Sequence, residues 1–200
     1  MTDISKFVIE ITKAKNERDK KNILEISKGF YVELGVGDWD MGNNSFGLEK
    51  EYGWNGISMD IEENFVDNFN KNRSNKCIKG DATKTNFYEF FKEHSVPKRV
   101  DYLQIDLHGN HQLGQKASNS IDKPLKTLVS LPLNDYRFST ITFDYGNLNH
   151  FNNWSIRDAQ RQILSSFGYY LLVDLFYEDW WVDGEHVEYE IFNRFHKWSR

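Results

Sequence analysis

Acidic residues recur where apolar runs end. Asp60 follows Gly56-Ile-Ser-Met, Asp81 follows Cys77-Ile-Lys-Gly, Asp106 follows Val100-Asp-Tyr-Leu-Gln-Ile and Asp144 follows Phe138-Ser-Thr-Ile-Thr-Phe. Glu33 sits just before a glycine turn in Phe30-Tyr-Val-Glu-Leu-Gly-Val-Gly-Asp38. A carboxylate accepts two parallel O–H bonds, so Asp60 suits a ribose diol, and Asp81 can accept from an adenine amino group. Ile61 and Ala82 follow these acids and join them as candidate cofactor contacts. Gly35 and Gly37 let the backbone turn tightly and approach a ligand with no Cβ in the way. Asn44-Ser45 then opens a helix, whose N-terminus would aim free N–H groups at the same pocket. The gap of about 20 residues from the turn to Asp60 matches the length of a nucleoside.

The glycine spacing selects among nucleoside cofactors. A dinucleotide turn reads Gly-x-Gly-x-x-Gly, but Asp38, Trp39, Asp40 and Met41 separate Gly37 from Gly42. Asp38 and Asp40 would crowd a pyrophosphate with like charge. They are less hostile to a donor that carries an ammonium and a sulfonium, and Glu33 points the same way. S-adenosylmethionine is therefore expected, and NAD is disfavoured.

Such a donor calls for an in-line displacement, in which the protein aligns the nucleophile and removes its proton. His108 is the candidate base, because an imidazole titrates near neutrality. Asp106 would orient it or take the proton itself, with Asp144 at the neighbouring strand end. Asp106 and Asp144, joined by His108, His111 or His150, also leave room for a divalent cation that would acidify a hydroxyl. Tyr145 to Trp154 and Tyr177 to Trp181 read as aromatic, polar loops on the same rim, suited to sugar rings. The alternative for Trp180 and Trp181 is packing at the sheet edge.

These residues need strands to carry them and helices between. The pattern predicts strands at 30–34, 56–61, 77–81, 100–106, 138–144, 169–175 and 187–192, with a loop between the last two. Helices are predicted at 3–28, 43–52, 62–72, 87–91, 116–131 and 156–167. Strand and helix alternate, so the fold class is α/β: a Rossmann-like, mostly parallel sheet with an antiparallel C-terminal edge and helices on both faces. The expected organisation is a helical segment at 1–28 followed by a single domain at 29–200.

The segment Glu33-Leu-Gly-Val-Gly-Asp38, Asn44-Ser45, Leu48-Glu49, Gly53-Trp-Asn-Gly-Ile57 and Asp60 resembles the FkbM-type class I methyltransferases. Val100 to Gly109 is similar to their fourth-strand motif, and Arg137 to Phe143 and Glu178 to Val182 are similar to later segments of one branch. The resemblance spans about residues 29 to 190. It implies a seven-stranded sheet and methylation of an oxygen on a sugar or another small polyhydroxylated acceptor. Two positions depart from the family pattern: His108 stands where an acid is frequent, and Asp144-Tyr145 where Glu-His is frequent.

Composition narrows the setting. The net charge of −5 disfavours a nucleic-acid partner, and a single cysteine, Cys77, excludes an internal disulfide and fits a reducing cytoplasm. Charged residues interrupt every apolar run, so neither a signal peptide nor a membrane span is expected. The competing class is a non-catalytic module of the same fold that binds an adenosyl ligand. Oligomeric state is open.

Overall fold

The computed structural model describes residues 2–18, 26, 28–40, 42–107, 122–146 and 153–185. Helices α1 (Asp3–Arg18), α2 (Asn44–Tyr52), α3 (Glu63–Asn72), α4 (Phe87–Glu93), α5 (Lys123–Ser130) and α6 (Asn153–Ser166) surround one sheet. Its strands are β1 (Phe30–Leu34), β2 (Asn55–Asp60), β3 (Lys76–Lys79), β4 (Arg99–Ile105), β5 (Arg137–Asp144), β6 (Tyr169–Asp174) and β7 (Glu178–Asp183).

The seven strands lie in the order β3-β2-β1-β4-β5-β7-β6. The first five in that row are parallel, and β7 runs antiparallel to β5 and β6. The order reverses between β1 and β4. At such a point the connections leave in opposite directions and open a crevice at the strands' carboxyl ends.

Strand alternation divides the core. Val32, Leu34, Ile57, Met59, Leu103, Ile105, Ile141 and Phe143 pack with Phe87 and Phe91 of α4, Leu128 of α5 and Leu164 of α6. On the other face Tyr31, Tyr102, Trp180 and Val182 meet Phe7, Val8 and Ile11 of α1 and Leu48 of α2. Val66 and Phe69 of α3 pack on Cys77 and Val36. Burying each such side chain contributes ~1.5–3 kcal/mol, and this apolar layer fixes which residues remain at the strand tips.

α1 is fastened at both ends. Ser5 Oγ donates to the Asn44 carbonyl at 2.6 Å, and Lys15 Nζ lies 2.5 Å from Asp101 Oδ1. The other Asp101 oxygen accepts the Phe30 amide at 2.9 Å, which anchors the start of β1.

The eight expected elements from β1 to β5 and α2 to α4 sit within a residue or two of their sequence-based positions. The chain's end differs. The segment read as a loop between two final strands is itself β7, buried along its whole length. Its acids made it look solvated. Asp179 is instead paired with Arg161, whose Nε and a terminal nitrogen each lie 2.7 Å from it, and is also bonded by Gln160. Asp183 takes two bonds from Arg137, at 2.5 and 3.1 Å. Trp180 and Trp181 accordingly pack the sheet, and Tyr145 is buried with its hydroxyl donating to the Leu175 carbonyl, so none of the three lines a rim. The strand expected at 187–192, and the portions of the expected helices at 19–25 and 116–121, lie outside the described residues.

Candidate functional site

β1 ends in Leu34, and the chain then turns through Gly35 (φ +88°) and Gly37 (φ +59°) into α2. A Cβ on Gly35 would fall 1.6 Å from the Asp106 carbonyl oxygen, so only glycine lets the β1 and β4 ends meet. A Cβ on Gly37 would meet nothing within 4 Å, so this residue borders open space.

The turn is held from two sides. Asp60 Oδ2, at the end of β2, accepts the Val36 and Gly37 amides at 2.8 and 3.2 Å, and Oδ1 accepts the Glu62 amide at 2.9 Å. The expectation of free amides in the turn is therefore corrected: two of them are satisfied by an internal carboxylate. On the other side Asn43, the N-cap of α2, donates from Nδ2 to Glu33 at 2.8 Å and to the Val36 carbonyl at 3.2 Å.

Glu33 has no exposed surface. Ser58 Oγ donates to its Oε2 at 2.7 Å. Ser45 Oγ lies 3.0 Å from that same oxygen and 2.8 Å from Asn43 Oδ1, its one proton serving either. Burial pushes Glu33 up to about 7, although Ser58, the Arg73 charge, Ser45 and Asn43 all favour its ionised form. Glu33 and Ser45 thus act on the turn from behind. Asn44 opens α2 at the same end, half buried, with its carbonyl held by Ser5.

Around the turn stand the remaining residues expected to hold a cofactor. Ile61 is 51% exposed immediately after Asp60, an uncovered apolar side chain at a strand tip. Asp81 accepts from Thr83 at 3.0 Å (amide) and 2.6 Å (hydroxyl), and Lys84 lies 2.9 Å from its other oxygen. Those bonds hold its carboxyl down at about 2. Ala82 is buried beside it.

The other half of the edge is a row of carboxylates. Ile105 is in register with Phe143, so Asp106 follows β4 beside Asp144, and Asp144 is paired with Glu178 at the start of β7. Burial, then the charges of Asp144, Asp106 and Asp179, push Glu178 up to about 8, against the Trp180 indole, which favours its ionised form. Asp144 Oδ1 accepts the Gly146 amide at 2.6 Å. Tyr177, half exposed, closes this end, and the charges of Glu178, Asp144 and Asp3 add to the burial that raises its phenol.

One residue row below the tips, a buried polar belt crosses five strands in register: Ser58, Glu33, Gln104, Thr142 and Trp180. Tyr102 links its middle, with its hydroxyl 3.1 Å from Gln104 Oε1 and 2.8 Å from Thr142 Oγ1. Gln104 in turn donates to the Gly35 carbonyl at 3.4 Å. The belt connects the two halves of the site.

The structure thus brings Gly35, Gly37, Asp60, Ile61 and Asp106 to one crevice, with Asp144 next along the edge. His108, His111 and His150 lie outside the described residues, and among the described residues no three His, Cys, Asp or Glu side chains are grouped to hold a metal ion. Sequence reasoning missed Glu178, because it was placed in a loop, and Arg73, whose partners are distant in the chain. The strand period in Glu178-Asp-Trp-Trp-Val was the one available signal for Glu178. Among the described residues no helix is long and apolar enough to cross a membrane.

No protein-family model matches the chain, and no curated protein matches it. Solved structures do. The delta-N METTL16 MTase domain aligns with a TM-score of 0.54 and 10% identity over 88% of this chain and 79% of that one. The human methyltransferase 10 domain containing protein aligns at 0.52 and 9% over 91% and 82%. S. pombe Dnmt2 methyltransferase aligns at 0.51 and 12% over 84% of this chain and 55% of its own. At these identities the likeness speaks for architecture: the chain has the fold of class I S-adenosylmethionine-dependent methyltransferases.

Proposed function

We propose that the protein transfers a methyl group from S-adenosylmethionine to a hydroxyl oxygen of a sugar or another small polyhydroxylated acceptor, as the resemblance to FkbM-type enzymes implies. The observation that carries the donor is the state of the glycine turn. Its Val36 and Gly37 amides are taken by Asp60, so they are not available to a phosphate, while Gly37 borders open space. A nucleoside donor without phosphates fits that turn, and a dinucleotide does not.

When bound, S-adenosylmethionine supplies an electrophilic methyl group on a good leaving group. The chain's residues do the rest. Asp60 keeps lone pairs for a ribose diol beyond its three amide bonds. Ile61 offers an apolar face for the adenine. Asp106, whose backbone touches Gly35, ties the donor turn to the acceptor half. The carboxylates there repel phosphate esters and accept hydrogen bonds from hydroxyls, which favours a neutral, hydroxylated acceptor over nucleic acid. His108, two residues after Asp106, is assigned as the base that takes the hydroxyl proton, with Asp106 orienting it. A base of this kind contributes ~10²–10⁴-fold.

Glu178 favours a second reading of the base. Ionised Glu178, beside Asp144, can itself take the acceptor's proton, and with its carboxyl lifted to about 8 that role grows as pH rises toward this value. The buried free thiol of Cys77 fits a reducing cytoplasmic setting.

Calorimetric titration with S-adenosylhomocysteine and with NAD tests the donor, with binding of the first alone expected. Methyl uptake by free sugars and neutral glycans, compared between the wild type, His108→Ala and Glu178→Gln, then tests acceptor and base. S-adenosylhomocysteine binding with no uptake by any acceptor would point to the non-catalytic module instead.

A further inference from the structure

Arg73 follows the last turn of α3, far in sequence from the glycine turn, yet its side chain is fully enclosed beneath it. Its guanidinium reaches five neighbours at once. Nε donates to Glu49 Oε2 at 2.8 Å, and Nη1 donates to the Trp39 carbonyl at 3.1 Å and to Asn43 Oδ1 at 3.3 Å. Nη2 donates to Ser45 Oγ at 3.0 Å and to the Tyr31 hydroxyl at 3.3 Å. Phe69 and Phe46 cover the planar group at 4.5 and 5.4 Å from its carbon.

Two of those partners, Asn43 and Ser45, help Ser58 hold Glu33, and Asn43 also holds the Val36 carbonyl. A third, Trp39, lies in the loop that runs from the turn to α2. Only a rigid fan of donors can satisfy these acceptors together, and only arginine supplies one.

We propose that Arg73 is a positioning residue for donor binding: it fixes Asn43, Ser45 and the Trp39 carbonyl, and through them sets the glycine turn in its ligand-ready shape before any ligand arrives. The inference rests on the donor reading given above and adds to it a residue that touches neither donor nor acceptor. Arg73 also neutralises Glu49, which could give it a purely structural role. The two roles separate by substitution. Lysine keeps the charge opposite Glu49 but is a single point donor that cannot span Trp39, Asn43 and Ser45.

The test is calorimetric titration of wild type, Arg73→Lys and Asn43→Ala with S-adenosylhomocysteine, alongside thermal midpoints from circular dichroism. The expected result is that Arg73→Lys stays folded, with most of its thermal midpoint retained, while its affinity falls ~10-fold or more. Asn43→Ala, which leaves the Arg73–Glu49 pair in place, is expected to lose affinity likewise. Affinity in Arg73→Lys equal to wild type would overturn the proposal. If Arg73→Lys does not fold, unchanged affinity in Asn43→Ala would overturn it alone, because Asn43 is the partner of Arg73 that bonds the turn directly, at the Val36 carbonyl. Wild type that fails to bind S-adenosylhomocysteine would remove the donor reading itself, a different outcome from wild type that binds while the variants bind equally well.

Discussion

The two halves of the strand edge handle charge in opposite ways. Under the glycine turn, two buried carboxylates and one buried guanidinium are enclosed in a network in which each oxygen has named donors. Across the switch point, Asp106, Asp144 and Glu178 stand side by side, and burial, with the neighbouring like charges added, lifts Glu178 to about 8. The first half spends its charges on its own shape. The second leaves Asp106 and Asp144 partly exposed at the strand ends, with Glu178 buried beside them. A site for a donor of constant structure gains from being prebuilt, whereas a site that must take up a proton needs a group whose charge can change.

The largest break in this comparison should come from Arg73→Met. It leaves Glu49 without its buried cation, and loss of one partner of such a pair costs ~3–5 kcal/mol. The urea midpoint is expected to fall accordingly, and S-adenosylhomocysteine binding with it. Next come the two glycines. Gly35→Ala would drive a methyl group into the Asp106 carbonyl at positive φ and should cost ~2 kcal/mol or more while disrupting both halves at once. Gly37→Ala faces open space and bears only the left-handed backbone cost, ~1 kcal/mol in chemical denaturation.

Proton linkage sharpens the contrast further. Glu33 and Glu178 both rise on folding, from 4.5 to about 7 and about 8. Below their unfolded values both states hold the proton and neither group matters. Above them the unfolded chain releases its protons first, so stability falls as pH rises and levels off once both folded values are passed. Glu49 and Asp81 are shifted down and act in the opposite sense, but only in the acidic range below their unfolded values. Maximum stability is therefore expected near pH ~5, read as urea midpoints across the range. Glu178→Gln should remove the upper part of the decline and stabilise the protein at pH 8.5 by ~1–3 kcal/mol. The smallest effect belongs to Tyr177→Ala. Half exposed at the acceptor end, this change should alter stability by under ~0.5 kcal/mol while raising the acceptor KM.

Much of the β1–β2 end of the edge could be read before any coordinates. Glycines and strand-end acids stand out in short stretches of chain, even where the bonds they make, such as those of Asp60 to the turn, reach across the fold. The other end depended on β7, and there local reading failed. Glu178, Asp179 and Asp183 made a buried strand look like a solvated loop, because the arginines that satisfy two of them, Arg161 and Arg137, come from α6 and β5. Arg73 was hidden for the same reason. A buried charge is recognised by its partners, and those partners are close in space rather than in sequence.

The brace formed by α1 has a bearing on how the molecule is made. Phe7 rests on Trp180 with ring centroids 5.0 Å apart, so a helix synthesised early docks on a strand synthesised late. Until β7 emerges from the ribosome, the oily side of α1 and the aromatic wall of Tyr31 and Tyr102 lack the Trp180 and Val182 side chains that complete their cover. Closing so long a loop slows assembly, and the waiting surface is one that chaperones would bind. Trimming either the brace or the strand should therefore send the protein into inclusion bodies rather than yield a smaller folded one.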